Sequence, residues 1–323
     1  MNGTDRLVQR VLLALLVGVL LASAAWAQGF DSPGGFGEAD PSRTFKQVGP
    51  SSADRYFLHD QGVKIAVVGG LSILAVFLVA KRGFRHRKWL LLLSVGLVGF
   101  YLGGVLCPLA SVQNILLKWN TAYPLLFLIP VVLALAVGRV FCGGVCPFGA
   151  AQELLHVRRW SARIPAAWRR GLGALKYAIL LYLVTRVIVT GTSVLQGVTP
   201  FKVLFTWGGA PMAIGLTALT AGLSVVVWRP FCRFLCPLGA LLSILSRFSL
   251  FRLEATSGCV SCGRCTAHCP AGACDGGNVR SADCFLCGDC VTSCPVASFR
   301  WVWRWSRRDR ALQEGNAESS GRI

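Results

Sequence analysis

Phe141-Cys142-Gly143-Gly144-Val145-Cys146-Pro147-Phe148-Gly149-Ala150 returns later in the chain as Phe231-Cys232-Arg233-Phe234-Leu235-Cys236-Pro237-Leu238-Gly239-Ala240. Both cysteines are displaced by the same 90 residues, 142 to 232 and 146 to 236. Each motif closes a pair of apolar stretches, so the middle of the chain reads as two tandem copies of a helical hairpin. Spacing of i, i+4 sets both thiols of a motif on one helical face, and the following proline marks a break or a helix start. The duplication can bring Cys142, Cys146, Cys232 and Cys236 together, as ligands of an additional metal centre or as redox-active dithiols. Close helix packing by small residues explains the same pattern, and spacing alone names no metal.

Outward from the repeats, apolar stretches occur at 63–80, 89–106, 121–138, 172–192 and 207–228. Each is near the roughly 20 residues that cross a bilayer as a helix. A further apolar run, Val11 to Ala24, follows a short basic start and ends at Ala25-Trp26-Ala27. Residues 1–27 therefore read as a signal peptide or an uncleaved anchor helix, and 28–60, rich in Gly, Pro, Ser and Asp, as an extracytoplasmic tether. Residues 61–250 form the transmembrane domain that carries the two repeats. Composition agrees, because 54% of the 323 residues are hydrophobic and 15% are charged, against about 25% charged in soluble domains.

The net charge of +19 is unevenly placed. Between Gln61 and Leu253 the only acidic residue is Glu153, while Lys81, Arg82, Arg85, Arg87 and Lys88 fill one short loop and Arg158, Arg159, Arg163, Arg169 and Arg170 follow the first repeat motif. Basic clusters between apolar runs fit membrane topology, with lipid as the partner, and not nucleic acid. The positive-inside rule puts both basic segments and the C-terminal domain in the cytoplasm of a multi-pass protein of the cell (inner) membrane.

Most of the 14 cysteines crowd the C-terminal part. Cys259-Val260-Ser261-Cys262-Gly263-Arg264-Cys265-Thr266-Ala267-His268-Cys269-Pro270 is one C-x-x-C-x-x-C-x-x-x-C-P run, and Cys284 to Pro295 repeats it through Cys287, Cys290 and Cys294. In two-cluster ferredoxins the fourth cysteine of each run serves the other cluster. Cys259, Cys262, Cys265 and Cys294 are thus assigned to one [4Fe–4S] cluster, and Cys284, Cys287, Cys290 and Cys269 to a second. Zinc knuckles need no pair of identical four-cysteine runs each ending in proline. Cys274, between the runs, reads as a small buried residue. The fold expected is a polytopic α-helical membrane protein of five or six spans, a tandem helical-hairpin repeat followed by a C-terminal two-cluster bacterial ferredoxin-like domain at 251–298. Residues 299–323, alternating aromatic and basic at first, read as an interfacial anchor and disordered tail. Of the four histidines (His59, His86, His156 and His268) none lies inside a span, so a bis-histidine haem in the bilayer lacks ligands.

The stretches FCGGVCPFGAAQEL and RPFCRFLCPLGA, followed by the double cysteine run, resemble the membrane portion of the NosR family and the NapH-type quinol dehydrogenase subunits. The resemblance implies a membrane-bound polyferredoxin that relays electrons between the quinol pool and a redox partner, with quinone or quinol as substrate. Larger family members carry an extracytoplasmic flavin domain that residues 28–60 cannot hold, which implies a separate, flavin-carrying or other redox partner outside or in the membrane. Quinol oxidation releases protons, and Glu153 with His156, at i, i+3, is the carboxylate–imidazole pair nearest the membrane core. The simpler explanation is that Glu153 pairs with Arg158 or Arg159 or caps local structure. The alternative function is an assembly or maturation factor for a metalloenzyme, with the cysteine pairs handling or reducing a metal. A redox sensor has no visible output domain, and no G-x-G-x-x-G follows a strand to bind a nicotinamide cofactor.

Overall fold

Two long apolar helices frame the molecule in the computed structural model, which describes residues 61–102, 123–162, 164–190, 200–206, 211–256 and 258–303. Helix α1 is Gln61–Ala80. A basic loop with a short 3-10 turn leads into α2, Arg87–Leu93, whose last turn widens into a π-helical Ser94–Tyr101. Helix α3 is Tyr123–Ala136. It is followed by the π-turn Phe141–Val145 and by α4, Pro147–Leu155. Helix α5 runs over Ala166–Thr190, α6 over Pro200–Thr206 and α7 over Pro211–Val226. Then come α8, Pro230–Phe234, and α9, Pro237–Ser246. In both repeats the Cys-Pro step starts a helix, since proline lacks the N–H that an N1 residue leaves unused and its φ suits the first turn.

Among the described residues, two helices are long and apolar enough to cross a bilayer, Val63–Ala80 and Gly171–Val189. The five or six spans expected are thus shown only in part. The described helix within 121–138 has 14 residues and that within 207–228 has 16, and 121–122 and 207–210 lie outside the described residues. Residues 103–106 of the 89–106 stretch, together with 1–27, the tether 28–60 and Cys107, lie outside the described residues. The apolar surface of the two long helices points outward. Only 17% of the Gly171–Val189 window is buried, and Ile73, Phe77, Leu181, Ile188 and Val189 are exposed. Water would make so many outward aliphatics costly, whereas lipid does not.

The C-terminal part is a small ferredoxin-like unit. Strand β1, Phe251–Ala255, pairs antiparallel with the last described strand, Phe299–Trp303. Between them lie α10, Arg264–His268, then the two-residue strands β2, Cys274–Asp275, and β3, Asn278–Val279, and then α11, Asp289–Thr292. The last strand, β4, corrects the reading of Phe299–Trp303 as a membrane anchor and moves the end of this unit from 298 to 303. Phe299, Trp301 and Trp303 recur with the period of a strand, and Phe299 and Val302, on its two faces, are buried. Trp303 packs edge-on against Phe251 across the pair, ring centroids 4.8 Å apart. Residues 304–323 lie outside the described residues.

The unit is tied to the end of α1. Arg82 donates to the Phe299 carbonyl, and Trp301 Nε1 donates to the Val79 carbonyl at 3.4 Å. The basic loop and the cysteine-rich unit therefore meet on one side of the molecule.

Candidate functional site

The two cysteine runs share one backbone. Ser261 and Leu286, each just before the second cysteine, have φ of 50° and 53°. Gly263 and Gly288, just after it, have φ of 70° and 82° and start α10 and α11. Left-handed residues on either side of a cysteine fold three thiols of one short loop toward a common centre, and glycine takes such a φ without strain. Cys259, Cys262, Cys265 and Cys294 line one concavity, so the fourth cysteine of the second run joins three from the first. In the other set, the Cys269 charge acts directly on Cys284. Ala273 N–H donates to Cys269 Sγ at 3.3 Å and Leu286 N–H to Cys284 Sγ at 3.4 Å. Burial pushes the Cys284 thiol up to about 12, so a thiolate there needs a cationic partner such as iron. The residues present thus fit two [4Fe–4S] groups. Among the described residues no three Cys, His, Asp or Glu side chains crowd together as they do round a single ion. A cubane is a wider body, with thiolates standing apart at its corners. Cys274 is buried, with its thiol between those of Cys265 and Cys290.

The repeat motifs come together in the core. Cys142, Cys146, Cys232 and Cys236 are all buried. Cys232 Sγ lies 3.4 Å from where a Cβ on Gly149, in the first repeat, would stand. Gly239 N–H donates to Cys236 Sγ at 3.2 Å, and Gln152 Nε2 lies 3.8 Å from Cys232 Sγ.

Two residues that the motif search passed over complete this arrangement. Arg139 and Arg229 stand three residues before Cys142 and Cys232 and share the 90-residue offset, which was the signal that could have found them. They are 1% and 0% exposed. Each reaches into the opposite repeat. A Cβ on Gly149 would meet Arg229 Nη1 at 3.0 Å, and one on Gly239 would meet Arg139 Nη2 at 3.2 Å.

Their surroundings differ. Arg229 Nε donates to Glu153 Oε2 at 2.7 Å, Nη2 to the Gly143 carbonyl at 2.9 Å and Nη1 to the Cys142 carbonyl. Arg139 Nη1 donates to the Ala282 carbonyl at 3.2 Å and its plane covers the Phe285 ring at 4.1 Å. Nε and Nη2 of Arg139 have no hydrogen-bond partner, although its charge lies against the Cys142 thiol. Among the described residues no ion pair includes Arg139. An unpaired buried charge costs several kcal/mol.

Glu153 does not pair with Arg158, whose partner is Asp289 at 2.8 Å. It is gripped from far along the chain by Arg87 at 2.6 Å and Arg229 at 2.6 Å. Burial works to raise its proton affinity, and Arg229 and Arg87 overcome this and hold the carboxyl below its ordinary range. That suits a charge clamp and not a proton acceptor. His156 stands apart, with Nδ1 3.1 Å from the Ser224 carbonyl, which only accepts, so Nδ1 carries the proton.

The repeats dock onto the second ligand set at both ends. Gly143 lies so close under Phe285, the residue after Cys284, that a Cβ would overlap the Phe285 carbonyl. Arg233, the residue after Cys232, donates to the Pro270 and Ala271 carbonyls just after Cys269, at 3.3 and 3.0 Å. Trp228 packs edge-on to Phe285, centroids 5.3 Å apart. Beside this seam is a shallow apolar concavity lined by Leu78, Val79, Phe84, Leu90 and Leu286, with Arg87 as its charged group.

Comparison with known proteins fits this geometry. A family described as a 4Fe-4S binding domain matches 119–165 and 209–255, that is, the two repeats and not the four-cysteine runs. An uncharacterized protein of Methanocaldococcus jannaschii is 31% identical over 173 residues, 51% of this chain and 73% of that protein. The regulatory protein NosR of Pseudomonas aeruginosa is 32% identical over 228 residues, 59% of this chain. The methylamine utilization ferredoxin-type protein MauN of Paracoccus denitrificans is 30% identical over 175 residues, 52% of this chain. The chain spans 62% of MauN and 31% of NosR. No solved structure matches the chain. With its repeated C-x-x-x-C-P hairpins and double cysteine run, the chain belongs to the NosR/NapH-type ferredoxin family.

Proposed function

We propose that the protein sits in the cell membrane and passes electrons between quinol and a separate redox partner through two [4Fe–4S] clusters on its cytoplasmic side. The observation that carries this reading is the apolar concavity between α1, α2 and the loop that holds Cys284 and Cys287. It is apolar except for Arg87, opens beside the outward-facing α1, and has Leu286 of the ligand loop as part of its wall. A quinone ring is a flat apolar body with polar oxygens at its edge, and an apolar surface with one charged group beside it suits the edge of such a ring. Arg87 can direct a hydrogen bond at the ring oxygen while Glu153 keeps its guanidinium in place. Bound iron–sulfur groups supply the one-electron chemistry, and Cys259, Cys262, Cys265 and Cys294, with Cys284, Cys287, Cys290 and Cys269, would hold them. The second set lies beside the concavity, while the first lines an open concavity with Cys262 exposed, which suits exchange with a partner.

Membrane placement draws support from the outward aliphatic faces of α1 and α5. The cytoplasmic side draws support from the basic loop that the cysteine-rich unit touches through Arg82. The ferredoxin-type relative MauN supports electron transfer.

The test is anaerobic reduction of the purified protein in lipid nanodiscs. A quinol analogue should bleach the cluster absorbance of the wild type, and Leu78→Trp, which fills the concavity, should abolish that response while dithionite still bleaches it. Wild-type protein that responds to dithionite and not to the quinol analogue sinks the reading.

A further inference from the structure

We propose that Cys142, Cys146, Cys232 and Cys236 together hold one iron–sulfur centre shared between the two repeats, whose negative charge is the missing partner of Arg139. This concerns a site that the quinol reading does not use, and it stands or falls separately.

Three observations carry it. Neither repeat has more than two cysteines in its matched stretch, so the 4Fe-4S match to each can be satisfied with four thiolates only if the copies pool them. The fold does bring them together, since Cys232 Sγ of the second copy lies 3.4 Å from where a Cβ on Gly149 of the first would stand and 3.8 Å from Gln152 Nε2. Charge supplies the third argument. Arg139, 1% exposed, turns two unpartnered N–H groups toward this cluster of thiols. Lys176, also buried, donates to the neutral Ser243 hydroxyl at 3.3 Å and lies within electrostatic reach of Asp283 as well as of Cys142 and Cys236. Glu153, the nearby carboxylate, is already shared by Arg87 and Arg229.

These charges separate the candidate occupants of the site. Four neutral thiols leave Arg139 uncompensated, and so does a pair of disulfides, because a disulfide carries no charge. Four thiolates around iron and sulfide carry net negative charge and answer both cations. Zinc on four thiolates would also be negative. Position favours iron, because the Phe285 loop that holds Cys284 rests on Gly143, the residue after Cys142. A redox centre there continues the line of ligand sets into the repeats, whereas an inert ion gains nothing from that contact.

The experiment is metal and acid-labile sulfide analysis of the full chain purified without oxygen, with electron paramagnetic resonance of the reduced protein. The wild type should hold about two to four more iron atoms per chain than two cubanes contain, with matching sulfide, and show a third signal. Cys142→Ser with Cys232→Ser should lose that excess and keep the two-cluster spectrum. Should that variant not fold, Cys259→Ser with Cys284→Ser gives the converse reading, keeping the excess iron while losing the other two signals. Arg139→Gln should keep the iron and lower the midpoint potential of the third signal, because removing a positive charge disfavours the reduced state. Iron equal to two cubanes, or zinc as the excess metal, overturns the proposal. An unmoved potential in Arg139→Gln overturns its electrostatic half.

Discussion

The two repeats are copies in sequence that have divided their labour. Position 153 of the first is Glu and the corresponding position of the second, 90 residues on, is Ser243. The Glu153 carboxylate neutralises Arg229 from the second copy. Its counterpart Ser243 gives Arg139 from the first copy nothing, and instead donates to the Ala282 carbonyl at 2.6 Å. The cysteine turns differ too. Gly143 and Gly144 let the first wind as a π-turn under Phe285, whereas Arg233 and Phe234 keep the second an α-helix and grip the chain after Cys269. A wide turn of this kind is costly and tends to mark a functional place. The lesson is that one cation of a symmetric pair has a protein anion, and the other faces thiols.

The hardest way to break the comparison is at the turn that only the first repeat has. Gly143→Val should drive the Phe285 loop off the repeats, because the new side chain overlaps a backbone carbonyl that cannot rotate away. Loss of cooperative thermal unfolding and of quinol-dependent cluster bleaching is expected; retention of both would show that the contact is dispensable. Next is Arg229→Gln, which strands the Glu153 carboxylate with Arg87 alone and should cost about 3–5 kcal/mol, read as a lowered denaturation midpoint with or without iron. Arg139→Gln should behave differently. In chelated, iron-free protein it removes an unpaired buried charge and should leave the midpoint unchanged or raised, with a cost appearing only when iron is bound. Equal costs for the two arginines in iron-free protein would erase the asymmetry.

Ser243→Glu sharpens it from the other side. A carboxylate there meets Arg139 and Lys176 and competes with thiolates for their charge, so iron bound by the repeats should fall while the C-terminal clusters persist. The smallest effect belongs to Trp301→Phe, which deletes the long hydrogen bond to Val79 and should cost less than about 1 kcal/mol in thermal melts.

Part of this site was legible from spacing alone. A cubane demands thiols from one tight loop, so C-x-x-C-x-x-C-x-x-x-C-P names its ligands without a structure. The 90-residue offset exposed the duplication, and extending it three residues upstream would have exposed Arg139 and Arg229. The period of Phe299–Trp303 was a strand signal read as an anchor, because tails rich in aromatic and basic residues serve both purposes. The number of spans was not legible in the same way, because apolar composition does not set helix length.

Sequence by itself determined the chemistry, since which residues can become thiolates and how closely they recur is a local property of the chain. It could not determine pairing. Glu153 sits beside Arg158 in the chain, yet it bonds to Arg87 and Arg229, 66 and 76 residues away. That choice belongs to the fold, because a buried carboxylate must find its cations among whatever side chains packing brings within reach. The same packing left Arg139 with thiols in place of a carboxylate.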